Sequence, residues 1–238
     1  MNIALIGYGK MGHIIEEVAL ENGHQIILKI SSGNTYELTT ENIRKADVAI
    51  EFTKPEAAKE NILLCLNAGI PVVSGTTGWG EGLEEAKTAA TNNNTALLHA
   101  TNFSIGVNIF FEVNKLLARL MNKRTEYVPL IEETHHIQKK DAPSGTAITL
   151  AELALAELSQ KKGWGLDTDQ QDVLNIVAKR EEGVPGTHIV KYSSAIDDIE
   201  IKHVAHNRLG FAQGAVAAAE YVVGKTGVFG MADVLGIF

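Results

Sequence analysis

The chain has 238 residues, 45% hydrophobic and 21% charged, an ordinary profile for a globular protein of one large or two modest domains. Its formal net charge is -8 and its pI about 5.5, so its surface does not draw in a phosphate backbone or anionic lipid, and neither nucleic acid nor membrane is an expected partner. A single cysteine, Cys65, precludes an internal disulfide, no apolar run reaches the roughly 18 residues of a membrane span, and the N-terminus carries no basic signal region, so a cytoplasmic location is expected.

Residues 3–6 are a short apolar run stopped by Gly7, the pattern of a strand buried on both faces. Met11, Ile14, Ile15, Val18 and Ala19 then share one helical face, and Asn22-Gly23 ends that helix. Strands are predicted over 25–30 and 47–52. A helix follows over 55–68 with Pro55 in its first turn, and Cys65 sits on its apolar face as a structural thiol. A strand over 70–75, a helix over 81–91 and a strand over 96–100 complete the alternation. Such alternation implies right-handed βαβ units and a doubly wound parallel sheet, the Rossmann arrangement.

The pattern changes after about residue 103. A helix over 107–121, a strand over 126–134 and a helix over 146–160 are followed by strands over 172–180, 187–193 and 198–205. Consecutive strands at this spacing predict a smaller α+β domain with a mixed sheet. A helix over 214–223 and an apolar end over 228–238 are expected to return to the first domain. The domains are therefore 1–103 with 214–238, and 104–213.

Gly7-Tyr8-Gly9-Lys10-Met11-Gly12 fits G-x-G-x-x-G in the context that gives this pattern meaning, after a buried strand and at the start of an amphipathic helix. Gly7 permits the turn, Gly9 lets a pyrophosphate approach, and Gly12 lets helix and strand pack closely. A plain βα turn is the bland alternative. The acid that would hold an adenosine ribose belongs about 20 residues on, but the sequence there is Lys29-Ile30-Ser31-Ser32-Gly33. Hydroxyls and a lysine tolerate a 2′-phosphate, so the cofactor is NADPH or NADH, with a lean to NADPH or dual use; Lys29 as a plain surface residue is the alternative. Gly75-Thr76-Thr77 and Ala100-Thr101-Asn102-Phe103 follow later strand ends, where ligands of such sheets bind. Trp79 reads as a packing residue.

The stretch Glu132-Glu133-Thr134-His135-His136-Ile137-Gln138-Lys139-Lys140-Asp141-Ala142-Pro143-Ser144-Gly145-Thr146-Ala147 concentrates histidines and lysines in an acidic chain. It runs into a helix start, where free N–H groups favour anions. A histidine titrates near neutral pH and a lysine can donate a proton, so the segment suits an enzyme that binds a small acid and moves protons. The two histidines beside Glu132 and Glu133 could instead hold a metal. No compact set of ligands recurs elsewhere along the chain, so none is expected. His188, His203 and His206 read as structural, with room for one of them to line a pocket.

Together with the glycine loop, Gly75-Thr76-Thr77-Gly78, Asn102-Phe103-Ser104-Ile105-Gly106-Val107, Ile199-Glu200-Ile201-Lys202-His203 and Phe211-Ala212-Gln213-Gly214-Ala215, this long signature resembles the 4-hydroxy-tetrahydrodipicolinate (dihydrodipicolinate) reductase family over nearly the whole chain. The resemblance implies an NAD(P)H-dependent reductase of lysine and diaminopimelate biosynthesis acting on a small cyclic dicarboxylate, and a homotetramer. It implies His135 as acid/base, Lys139 as proton donor, and His136, Gly145 and Thr146 as holders of the substrate carboxylates. It places the cofactor on Gly7 to Gly12, Gly75 to Thr77 and Ala100 to Phe103, within a dinucleotide-binding first domain, and makes the second domain the substrate-binding and oligomerisation domain. The chain departs from the family pattern at Ile137 and Lys140 and lacks an acid beside Ser31. Another Rossmann amino-acid or sugar dehydrogenase, or a non-catalytic dinucleotide-sensing regulator, are the alternatives. The regulator would ordinarily bring a basic DNA-binding element, which this acidic chain does not offer.

Overall fold

The computed structural model describes residues 1–237; Phe238, the end of the apolar C-terminal stretch, lies outside the described residues. The chain divides into two compact units, Met1–Ile105 with Arg208–Phe238, and Gly106–Asn207.

In the first unit, strands β1 (Asn2–Ile6), β2 (Gln25–Ile30), β3 (Val48–Glu51), β4 (Val72–Ser74), β5 (Ala96–His99) and β11 (Gly227–Phe229) form one parallel sheet in the order β11-β5-β4-β3-β1-β2. Helices α1 (Lys10–Glu21), α2 (Thr40–Ile43), α3 (Pro55–Asn67), α4 (Leu83–Asn92), α7 (Leu209–Val222) and α8 (Met231–Leu235) belong to the same unit. Alternate residues of β1 feed two separate cores. Ile3 and Leu5 pack with Val18, Val216 and Met231, while Ala4 and Ile6 pack with Ile62, Leu66 and Ala86. A sheet buried on both faces needs continuous apolar strands, which explains the runs without polar alternation. Each such fully buried Ile or Leu contributes roughly 1.5–3 kcal/mol. The chain reverses strand order between β1 and β3, so the ends of these two strands flank the switch point where ligands of doubly wound sheets bind.

In the second unit, β6 (Val128–His135), β7 (Gly163–Leu166), β8 (Val173–Arg180), β9 (Gly186–Ser193) and β10 (Asp198–Ala205) form a mixed sheet in the order β10-β9-β6-β8-β7. Strand β6 lies at its centre, parallel to β8 and antiparallel to β9. Helices α5 (Ile105–Met121) and α6 (Gly145–Leu155) share a core with Ile131, Leu174, Ile176, Val190 and Tyr192. Alternation along β6 sends Ile131, Glu133 and His135 into that covered face. On the outer face Val128 and Val204 remain 63% and 43% exposed.

Several elements differ from expectation. Strand β7, Gly-Trp-Gly-Leu, is four residues long, half of them glycine, and was not anticipated, and β11 adds a sixth strand to the first sheet beyond β5. Helix α6 stops at Leu155 rather than 160, and α7 starts at Leu209 rather than 214. Gly210 and Gly214 weaken the helical signal of α7. Yet Gly214 is required there, because a Cβ would lie 1.7 Å from the Phe103 carbonyl oxygen. Among the described residues no helix is long and apolar enough to cross a membrane.

Candidate active site

The glycine loop in the first unit divides its three glycines by role. Gly7, at φ 100°, ends β1, and a side chain there would collide with the Phe52 carbonyl oxygen at 1.9 Å. Gly12 comes close enough to the loop that its Cβ would lie 2.6 Å from the Gly7 oxygen. Gly9 caps α1 with no protein atom within 4 Å of where a Cβ would stand. Two glycines thus serve the fold, and the third leaves space beside a helix N-terminus whose first turn carries no acid, a setting that favours an anion. Lys10 and Met11 open that helix.

Tyr8 donates its hydroxyl to Glu16, whose other oxygen meets the Lys29 ammonium at 2.6 Å, and Lys29 also lies 5.1 Å from the centre of the Tyr8 ring. Lys29 is therefore engaged with α1 and is neither a bare surface lysine nor a free phosphate anchor. Ser31 donates both its N–H and its hydroxyl to Asn34 Oδ1, at 2.7 and 2.9 Å, closing a turn after β2, and Ser32 at its tip is exposed.

Sequence reasoning missed Glu51, which organises the ends of β3 and β4. Its fully buried carboxyl accepts from the Ser74 and Thr76 hydroxyls, both at 2.9 Å, and from the N–H and hydroxyl of Thr53. Burial raises its pKa, against the lowering effect of those donors. Gly75 runs so close to Phe52 that a Cβ would lie 2.3 Å from the ring. Thr76 is buried against Glu51, Thr77 is exposed, and the Ala100 N–H donates to the Ser74 carbonyl at 3.3 Å. Thr101 is exposed, whereas Asn102 is buried and accepts from the Ser104 N–H at 2.9 Å. Phe103 belongs to the core, 5.4 Å from the Phe52 ring centre. Any cofactor contact by Phe103 would thus come through its backbone. Trp79 is buried and donates to the Thr76 carbonyl at 2.7 Å, and Cys65 is buried with its thiol pKa pushed up by burial.

In the second unit, β6 delivers His135 at its last position, and His136 and Lys139 follow in the succeeding turn, where the Lys139 N–H donates to the His136 carbonyl at 3.0 Å. His135 Nδ1 lies 2.9 Å from Glu133 Oε2 on a bent approach, so neither atom has a straight hydrogen bond. Its ring meets the His188 ring edge-on, centres 5.1 Å apart. On its other side, a Cβ at Gly186 would lie 3.1 Å from His135 Nε2. His136 is half-buried and its Nδ1 has no partner. Lys139 pairs with the exposed Asp141 at 2.7 Å, while Lys140 is exposed.

Arg180, at the end of β8 opposite His135, gathers these pieces. Its guanidinium donates to Glu133 Oε1 at 3.2 and 3.3 Å, to the Asp141 carbonyl at 2.6 Å and to the Lys139 carbonyl at 3.4 Å. The Ser144 N–H donates to the same Glu133 oxygen at 3.0 Å, and the Ser144 hydroxyl lies 3.2 Å from His188 Nε2 while accepting from the Ala147 N–H as N-cap of α6. Beyond that cap Gly145 is exposed, with no atom within 4 Å of a would-be Cβ, and Thr146 is half-buried. Burial would raise the Glu133 pKa, but the adjacent His135 ring and the Ser144 N–H outweigh it and hold the group down to about 2. Burial, and then the charge of His135, push His188 down to about 3, so its ring is neutral.

The cluster of Glu133, His135, His188 and Arg180 is assembled across three strands, so spacing along the chain could not reveal it. The one signal was strand parity, which places Glu133 on the face of His135. Glu133, His135 and His188 offer ligand atoms within 4.8 Å of one another, a grouping able to hold a cation. The Arg180 guanidinium on the same carboxylate supplies a competing positive charge.

Comparison with known proteins gives a consistent match. Family models for the N-terminus and the C-terminus of dihydrodipicolinate reductase match residues 1–103 and 106–235. A 4-hydroxy-tetrahydrodipicolinate reductase from Christiangramia forsetii is 52% identical over 236 residues, covering 99% of this chain and 98% of its own. One from Methanoculleus marisnigri is 40% identical over 82% of this chain and 78% of its own. Among solved structures, a dipicolinate-bound dihydrodipicolinate reductase from Paenisporosarcina sp. TG-14 superposes with a TM-score of 0.79 at 23% identity, over 97% of each chain, a likeness of fold.

Proposed function

The chain belongs to the dihydrodipicolinate reductase family, a family of oxidoreductases, and we propose from that premise that it reduces 4-hydroxy-tetrahydrodipicolinate to tetrahydrodipicolinate with NADPH or NADH, in lysine and diaminopimelate biosynthesis. The observation that carries this reading is the grouping of a buried, carboxylate-backed His135, the following Lys139 and the open N-terminus of α6 at Gly145. When bound, the dinucleotide supplies the hydride. The residues of the glycine loop fit it: Gly9 leaves room for a pyrophosphate on the first turn of α1, and Gly7 and Gly12 hold the turn that makes the room. Thr77 and Thr101, at the ends of neighbouring strands, offer exposed hydroxyls for the nicotinamide half.

In the second unit, His136 and the N–H groups at Gly145 and Thr146 bind the two carboxylates of the ring, using the dipole of an eleven-residue helix. Loss of water from the 4-hydroxy ring gives a conjugated C=C–C=N system, and hydride addition to it leaves negative charge that a proton must quench. Lys139 donates that proton, and His135 exchanges protons as acid/base. Overall the substrate, one reduced dinucleotide and one proton give the reduced ring, one oxidised dinucleotide and one water. Asp141 holds the Lys139 ammonium at 2.7 Å, and Lys140 stands aside.

Coenzyme use is dual. No acid beside Ser31 repels a 2′-phosphate, yet Lys29 is already paired with Glu16 and gives NADPH no strong anchor. A steady-state assay with the ring dicarboxylate tests both points. Turnover is expected with either coenzyme, with kcat/KM values within about tenfold, roughly 1.4 kcal/mol. No turnover with either coenzyme overturns the reaction, and a hundredfold preference overturns dual use. The same reading makes the enzyme a cytoplasmic homotetramer, with the exposed outer face of the second sheet as the surface a partner would cover, and a light-scattering mass below four chains counts against that assembly.

A further inference from the structure

Glu133 has no part in the proton steps above, yet both of its oxygens have close polar neighbours. It is fully buried, and a buried carboxylate is costly unless it is paired and hydrogen-bonded. Here one oxygen takes the Ser144 N–H and the Arg180 guanidinium, while the other faces His135 Nδ1 at 2.9 Å and His188 Nε2 at 3.9 Å. Arg180 and Ser144 thus use up one oxygen, which leaves the second for an imidazole. His188 is the weaker claimant, because its Nε2 lies nearer the Ser144 hydroxyl, at 3.2 Å.

The two ring nitrogens of His135 therefore meet opposite surroundings. Nδ1 faces a carboxylate. Nε2 faces the one residue of β9 that has no side chain, and any Cβ at Gly186 would come within 3.1 Å of it. A carboxylate beside one imidazole nitrogen keeps a proton there and leaves the other as acceptor, the division of labour in Ser-His-Asp sites. Orienting groups behind a reacting histidine also limit its rotation.

We propose that Glu133 is a positioning residue that keeps the His135 proton on Nδ1, makes Nε2 the nitrogen that exchanges a proton with the dicarboxylate, and ties this ring to the substrate-binding end of α6 through the Ser144 N–H. The inference rests on the reductase reading for its substrate but not for its geometry. When Nε2 takes up a proton, the imidazolium gains its counter-charge from Glu133, and when Nε2 releases it, Nδ1–H remains. Gly186 keeps the Nε2 edge unobstructed.

The test uses the full chain with 15N-labelled histidine, with the His135 signals identified by their loss in His135→Asn. In the wild type, neutral His135 is expected with nitrogen shifts of a protonated Nδ1 and a bare Nε2. In Glu133→Gln the tautomers should mix or reverse, and kcat should fall on the order of 10²-fold while the Kd for NADPH is unchanged. A wild-type ring protonated on Nε2 overturns the proposal without any variant, so misfolding of Glu133→Gln leaves it open to refutation. A folded Glu133→Gln with the wild-type tautomer, wild-type kcat and only a raised KM for the dicarboxylate also overturns it, since Glu133 would then merely anchor α6. Loss of the reductase reading shows separately, as a wild-type protein that does not turn over.

Discussion

Lys139 and Lys140 are adjacent and chemically identical, and only their surroundings separate them. Lys139 is held from both ends. Its N–H and carbonyl are fixed by the His136 carbonyl and Arg180, and its ammonium by Asp141 at 2.7 Å. Lys140 is exposed and takes no such position. A general acid must be placed before it can act, so Lys139→Ala should lower kcat on the order of 10²-fold or more with the Kd for NADPH intact, and Lys140→Ala should change kcat less than about threefold. Equal effects of the two, measured in steady-state assays, would remove Lys139 from the proton step. The signature made these lysines and the two histidines visible in the sequence. Glu133 stood in the same signature only as a possible metal ligand that was set aside, because the inward direction of its side chain depends on strand parity in the folded sheet. Arg180 was invisible as a site residue, and His188 was only one of three histidines with room to line a pocket, because both join through register across β6, β8 and β9 rather than through neighbourhood in the chain.

At the scale of the element, the β1-to-α1 turn shows how three glycines in one motif answer to different demands. A methyl group at Gly12 would lie 2.6 Å from a backbone carbonyl oxygen, which cannot move aside as a flexible side chain could. A methyl at Gly9 meets nothing of the protein within 4 Å. Gly12→Ala is therefore expected to destabilise by roughly 1–3 kcal/mol, as overpacking does, and Gly9→Ala to leave the melting temperature within about 2 °C of wild type. Dinucleotide affinity should respond in the other order, with Gly9→Ala raising the NADPH Kd at least about tenfold by blocking a close backbone approach. A Gly9→Ala protein that binds NADPH normally would take the cofactor away from this turn. Short apolar runs alternating with helical segments made the first sheet legible as far as β5, because β1, β3, β4 and β5 are buried on both faces. Strand β7 was not legible, since Gly-Trp-Gly-Leu owes its pairing to β8 and not to its own residues. The early start of α7 was hidden for a related reason: Gly214 is a poor helix former that the approach of Phe103 demands.

For the whole molecule, the buried carboxylates of the two units, Glu133 and Glu51, are shifted with opposite sign. The second unit holds Glu133, lowered from 4.5 to about 2, and His188, lowered from 6.5 to about 3. In the folded state neither binds a proton at pH values where the unfolded chain does. Their contributions are complete above the unfolded pKa values and are lost as pH falls towards the folded ones. Between pH 6.5 and 4.5 His188 costs about 1.4 kcal/mol per pH unit, with burial lowering His203 in the same unit and His99 in the first unit in the same direction but less far, and below 4.5 Glu133 adds a second slope of about the same size. Glu51 in the first unit is the reverse case. Its pKa is raised by burial, so its contribution is complete below 4.5 and is lost as pH rises through the folded value. Acid should therefore loosen the second unit before the first. The chain's two tryptophans report on them separately, Trp79 in the first unit and Trp164 in the second. In urea titrations of Trp79→Phe and Trp164→Phe followed by fluorescence, the midpoint reported by Trp164 should drop more steeply from pH 7 to pH 4.5 than that reported by Trp79. His188→Asn should flatten the Trp164 response over that range and leave the Trp79 response unchanged. Parallel slopes for the two reporters, or a His188→Asn protein as acid-sensitive as the wild type, would mean that the buried imidazole does not set the acid limit of the second unit.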